Sequence, residues 1–156
     1  MQKGSTEVYF SLGANLGDRE QLLNEAVNRL EKEVGGVFAH SSFCETEPWG
    51  FASEHLFLNM TVGIETVLDP FALLEVCKRI EREMGRQQTE GEGYEDRLID
   101  IDLLLYGMEE IKMPDLEVPH PKLHLRRFVL EPLSEIAPWV IHPVLGKTIE
   151  ELLNKI

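Results

Sequence analysis

Two aspartates one residue apart stand inside an apolar run, Arg97-Leu98-Ile99-Asp100-Ile101-Asp102-Leu103-Leu104-Leu105-Tyr106-Gly107. Branched apolar residues closed by a glycine read as a buried β-strand. Side chains alternate along a strand, so Asp100 and Asp102 share one face, and Ile99, Ile101, Leu103 and Leu105 share the other. Like charges at this spacing repel unless a cation lies between them. Carboxylate oxygens suit Mg2+, which takes one or two carboxylates and completes its shell with water and substrate phosphates. The pair has room for one such ion or two. The alternative is a pair of carboxylates solvated on an open sheet face.

A second group, Val118-Pro119-His120-Pro121-Lys122-Leu123-His124-Leu125-Arg126-Arg127-Phe128, gathers two histidines, a lysine and two arginines in an otherwise acidic chain. Guanidinium groups pair with phosphate oxygens, and imidazole adds a donor. The alternative is a solvated basic helix start. Arg86 and Arg97 bracket a polar loop, with Arg97 just before the aspartate strand. Asn59 in FLNMTV shares a strand face with Phe57 and Thr61. Its carboxamide offers a donor and an acceptor together, which suits the edge of a heterocyclic ring or, equally, a satisfied position in a sheet. GANLGDR is not a P-loop, because no Lys-Ser/Thr follows.

The elements that must position these residues follow from periodicity. Glu7 to Leu12 forms a strand, and Asp18 caps a helix with Leu22, Leu23, Ala26, Val27, Leu30 and Val34 on one face. Gly35-Gly36 ends that helix. Val37 to Cys44 and Leu56 to Glu65 read as strands. Asp69-Pro70 opens a second helix, lined by Leu73, Leu74, Cys77, Ile80 and Met84 and closed by Gly85. With the aspartate strand the order is β-α-β-β-α-β, an α+β, ferredoxin-like antiparallel sheet with helices on one face. From Pro114 onward two short helices, Phe128 to Ile136 and Thr148 to Ile156, form a C-terminal elaboration. Residues 1–156 read as a single domain.

A formal net charge of −13, from 28 acidic and 15 basic residues, argues against nucleic acid as a partner, since such binding needs a basic surface. No apolar run approaches the ~20 residues that span a bilayer, and the N-terminus lacks the apolar core of a signal peptide. Cys44 and Cys77 form no CxxC, which suits a reduced, cytoplasmic setting.

SLGANLGDR, SSFCETEPWG, FLNMTVGIET, Gly85-Arg86, RLIDIDLLLYG and VPHPKLHLRRFVLEPLSEIAP occur in this order. Together they resemble the 6-hydroxymethyl-7,8-dihydropterin pyrophosphokinase family nearly from end to end. The resemblance implies transfer of the β,γ-pyrophosphoryl unit of ATP to the pterin hydroxymethyl group, with release of AMP, in folate biosynthesis. It implies two Mg2+ ions on Asp100 and Asp102, and catalytic help from Arg86 and Arg97. It assigns Glu81, Arg97, His120 and Arg126 to ATP, and Thr46, Phe57, Asn59 and Phe128 to the pterin. The protein itself is expected to act as a monomer. The loop departs from the family pattern: Gln88 stands where an arginine is expected, and Gly93-Tyr94-Glu95-Asp96-Arg97 replaces a Trp-containing ending. No nucleophile–base pair accompanies Ser11, Ser41, Ser42 or either cysteine, in keeping with direct transfer between two bound substrates. A metal-dependent nuclease fits the net charge poorly, and a glycosyltransferase would be unusually small. A binding module of the same fold would leave the histidines and arginines without a task.

Overall fold

The computed structural model describes residues 4–46, 56–85 and 99–156. Strand β1 (Thr6–Ala14) sends Val8, Phe10, Leu12 and Ala14 into the main core, and Tyr9, Ser11 and Gly13 to the opposite face. Helix α1 (Arg19–Glu33) starts where Asp18 accepts the Gln21 N–H at 3.1 Å, and it buries Leu23, Ala26 and Leu30. Strand β2 spans Gly35–His40. Gly35, expected to end the helix, already belongs to the sheet. A side chain there would overlap the Glu65 carbonyl, at 1.9 Å.

The single strand expected over Val37 to Cys44 is two: after β2 the chain leaves the ladder and returns as β3 (Cys44–Thr46), beside β4 (Phe57–Thr66). Ser41 makes the break. Its N–H donates to the Thr61 carbonyl, and its Oγ accepts the Thr61 N–H at 2.8 Å, a bond that a backbone carbonyl otherwise makes. Helix α2 (Pro70–Glu83) follows, with Asp69 accepting the Phe71 and Ala72 N–H groups, and Gly85 at φ +98° turns the chain out of it. Strand β5 (Asp100–Tyr106) completes an antiparallel sheet in the order β2-β4-β1-β5, with β3 also paired to β4. Helices α1 and α2 cover one face, bridged at their outer surface by Arg29–Glu83 and Arg79–Glu33 ion pairs.

The β1–β5 register slips between Tyr9 and Phe10: Tyr9 faces Leu105 and Phe10 faces Leu103. The extra residue, Leu104, is a bulge that reverses the alternation beyond it. Leu105 therefore turns away from Ile99, Ile101 and Leu103, with which it was expected, and joins Leu104 and Tyr9 on the second face. Those three side chains pack under the helical part of the C-terminal elaboration. The elaboration comprises a hairpin not foreseen from the sequence, β6 (Ile111–Met113) and β7 (Leu116–Val118), whose Leu116 and Val118 join the main core, a 3-10 turn at Leu123–Leu125, α3 (Arg127–Ile136) and α4 (Ile149–Asn154). The expectation of helices on one face thus holds for α1 and α2, while α3 and α4 bury Leu130, Leu133, Ile149 and Leu152 against the other. Among the described residues no helix is long and apolar enough to cross a membrane.

Candidate active site

Strand pairing sets the site's floor. Across the sheet Asp100 faces Gly13, Gly13 faces Asn59, and Asn59 faces Cys44; two residues along, Asp102 faces Ser11 and Ser11 faces Thr61. Directly opposed residues project to the same face, so both aspartates and Asn59 share it. With neighbouring strands about 4.8 Å apart, Asp100 and Asn59 stand about 10 Å from each other, the span of a small heterocycle with a short arm.

At one end of this rung the carboxamide of Asn59 is buried, and its Nδ2 donates to Thr46 Oγ1 at 2.6 Å and to the Cys44 carbonyl at 3.4 Å. The amide is thereby locked to β3, with its Oδ1 lying over Gly13. Phe57, two residues before Asn59, projects to the same face. Thr46, Phe57 and Asn59 thus come together at one end of the rung.

At the other end Asp100 and Asp102 are half-buried on the edge strand. His120 is tied to that strand through its N–H to the Leu104 carbonyl at 2.9 Å. Its Nδ1 accepts the Lys122 N–H at 3.1 Å, which puts the ring proton of the neutral imidazole on Nε2. Burial pushes the His120 pKa down to about 4; the charges of Arg126 and Lys122 act in the same direction, and Asp100 opposes them. His120 is therefore a neutral donor near pH 7. The Arg126 guanidinium carbon lies 5.6 Å from the centre of the Phe128 ring, at the start of α3. Asp100, His120 and Arg126 form one electrostatic neighbourhood, with Phe128 at its border.

Glu81 approaches β5 from the helical side. Its buried carboxyl accepts the Ile101 N–H at 2.7 Å, between the two aspartates. Arg86 and Arg97, together with Gln88 and Tyr94, lie outside the described residues, as does the turn after Thr46.

The two aspartates form a hard oxygen donor set, and no group of three or more His, Cys, Asp or Glu suited to a metal occurs among the described residues. A soft or fully protein-ligated ion is poorly served by such a pair. Mg2+ fits it, because that ion keeps part of its shell for water and phosphate.

A further contact had no signal in the sequence. The Ser42 N–H and Oγ both donate to the Glu135 carboxylate at 2.9 Å, across 93 positions of chain. Helix α3 therefore carries Phe128 at its start and holds the segment leading to Thr46 near its end.

The family described as 7,8-dihydro-6-hydroxymethylpterin-pyrophosphokinase (HPPK) matches residues 9–138. A 2-amino-4-hydroxy-6-hydroxymethyldihydropteridine pyrophosphokinase of Porphyromonas gingivalis is 49% identical over 138 residues, 87% of this chain and 93% of the relative. The Bacillus subtilis protein of the same name is 44% identical over 133 residues, 85% of this chain and 78% of the relative. The fold matches a solved Plasmodium falciparum HPPK-DHPS structure with pteroate at a TM-score of 0.80 and 20% identity, over 99% of this chain. This chain spans 43% of the length of that one.

Proposed function

The chain belongs to the 7,8-dihydro-6-hydroxymethylpterin-pyrophosphokinase family, which transfers a pyrophosphoryl group in folate biosynthesis, and from that premise we propose how its residues perform the transfer. ATP is the donor and 6-hydroxymethyl-7,8-dihydropterin the acceptor. The hydroxymethyl oxygen forms a bond to the β-phosphorus, the bond from that phosphorus to the oxygen bridging the α-phosphate breaks, and AMP leaves with the bridging oxygen. The hydroxyl proton passes to solvent or to the departing phosphate.

The observation that carries this reading is the rung Asp100–Gly13–Asn59, which sets a ring-edge reader and a carboxylate pair on one floor. Asn59, oriented by Thr46, pairs with the pterin edge, and Phe57 and Phe128 enclose the ring faces. His120 donates through Nε2 to a phosphate oxygen, and Arg126 supplies a fixed positive charge beside it. Asp100 and Asp102 would hold Mg2+, two ions in our reading, whose chemistry is to neutralise phosphate charge and align the two substrates. Glu81, buried on the helical side, serves the nucleotide end indirectly by fixing the strand between the aspartates. Arg86 and Arg97, which lie outside the described residues, would add positive charge for the phosphates of ATP.

We further read the sheet order as ferredoxin-like, and residues 1–156 as one pyrophosphokinase domain that works as a cytoplasmic monomer with no nucleic-acid or membrane partner. The test of function incubates the protein with ATP, Mg2+ and the hydroxymethyl dihydropterin and resolves the nucleotides. AMP formed one-for-one with pterin pyrophosphate is the expected result. ADP, or turnover independent of pterin, overturns the reading.

A further inference from the structure

Gly13 holds the rung position between Asp100 and Asn59. Its φ is not positive, and it sits in extended strand backbone that any residue adopts, so local conformation does not require glycine there. Space does. A methyl group at this position would lie 2.9 Å from Asn59 Oδ1 and 3.5 Å from the Phe57 ring. The carboxamide has little freedom to move aside, because it is 5% exposed and its nitrogen is held by Thr46 Oγ1 and the Cys44 carbonyl.

We propose that Gly13 is a positioning and specificity-determining residue for the transfer. Its missing side chain keeps Asn59 in its reading orientation and leaves bare floor over which the pterin's hydroxymethyl arm reaches toward the carboxylates. The inference rests on the assignment of Asn59 to the pterin and of Asp100 to the phosphate end. It explains why a β-strand tolerates a poor strand former at this point: Ala would suit the strand better, yet its methyl would push on the side chain that reads the ring edge.

The experiment compares wild type, Gly13→Ala, Asn59→Ala and the double variant, measuring KM for each substrate, kcat and the thermal midpoint. Gly13→Ala is expected to stay folded with the wild-type KM for ATP, and to raise KM for the pterin about tenfold or more. In the Asn59→Ala background the group that the methyl displaces is gone, so adding Gly13→Ala changes pterin KM by less than about threefold. Wild-type pterin KM in Gly13→Ala overturns the proposal, as does an equal loss in both backgrounds. A lower midpoint with both KM values unchanged assigns Gly13 to packing and overturns it too. Wild-type pterin KM in Asn59→Ala instead removes the pterin-site reading on which the inference rests.

Discussion

Glu81 Oε2 accepts the backbone N–H of Ile101 at 2.7 Å, and Ile101 stands between Asp100 and Asp102. Strand β5 is the edge of the sheet among the described residues, so this outward N–H has no neighbouring strand among them to receive it. A buried side chain of α2 serves instead, and the backbone between the two carboxylates is fixed from the face opposite to theirs. Glu81→Leu leaves the N–H without an acceptor and is expected to cost about 1–3 kcal/mol in urea denaturation. Glu81→Gln keeps an acceptor oxygen and should lose clearly less. An unchanged midpoint in Glu81→Leu would mean that water reaches Ile101, and that the carboxyl does not anchor the strand.

His120 gives a signed pH dependence. Its pKa is about 4 in the folded protein, against about 6.5 when unfolded. Between those values the unfolded chain binds the extra proton, so the contribution of neutral His120 is fully present above about pH 6.5 and is lost as pH falls toward 4. Without nucleotide and divalent cation, the imidazole proton resonances should titrate with a midpoint of about 4. Arg126→Met should raise that midpoint, because a repelling charge is removed, and Asp100→Asn should lower it further, because the attracting one is lost. If neither substitution moves it, the three side chains do not share a field.

How much of this could be read from residues alone differs from point to point. The shared face of Asp100 and Asp102 follows from the two-residue period, and the caps at Asp18 and Asp69 follow from side-chain chemistry; all are local. The bulge at Leu104 is not legible, because Leu103-Leu104-Leu105 looks the same with or without an inserted residue. The break at Ser41 is hidden too, since its cause is a bond to Thr61 from a distant strand. His120 was visible as a phosphate donor beside arginines. Its neutrality was not, because burial sets it. Gly13 stands in the sequence only within a rejected P-loop and the SLGANLGDR segment of the resemblance, with no role of its own, and the pairing register is what gives it meaning.

Asp102→Asn tests the carboxylate pair with little change in volume. The substitution halves the charge of the pair and weakens one of two hard donors, so turnover should fall about a thousandfold or more while the thermal midpoint stays within a few degrees of wild type. Activity at rising Mg2+ separates lost affinity, which excess ion restores in part, from lost geometry, which it does not. A wild-type rate at ordinary Mg2+ would remove Asp102 from the mechanism.

Thr61 lies on the same rung as Ser11 and Asp102, is fully buried, and its Oγ1 has no hydrogen-bond partner among the described residues. A buried hydroxyl without a partner loses its water and gains nothing in return. Thr61→Val keeps the β-branched shape that suits strand β4 and removes only that hydroxyl. Its backbone bonds with Ser41 need no side chain and survive the change. The variant should therefore be more stable than wild type, by about 0.5–2 kcal/mol in denaturant unfolding, at unchanged pterin KM. The comparison decides whether this part of the floor is structural or functional. Equal or lower stability would reveal a partner for the hydroxyl, and a raised pterin KM in a stabilised variant would give that hydroxyl a place in the substrate site.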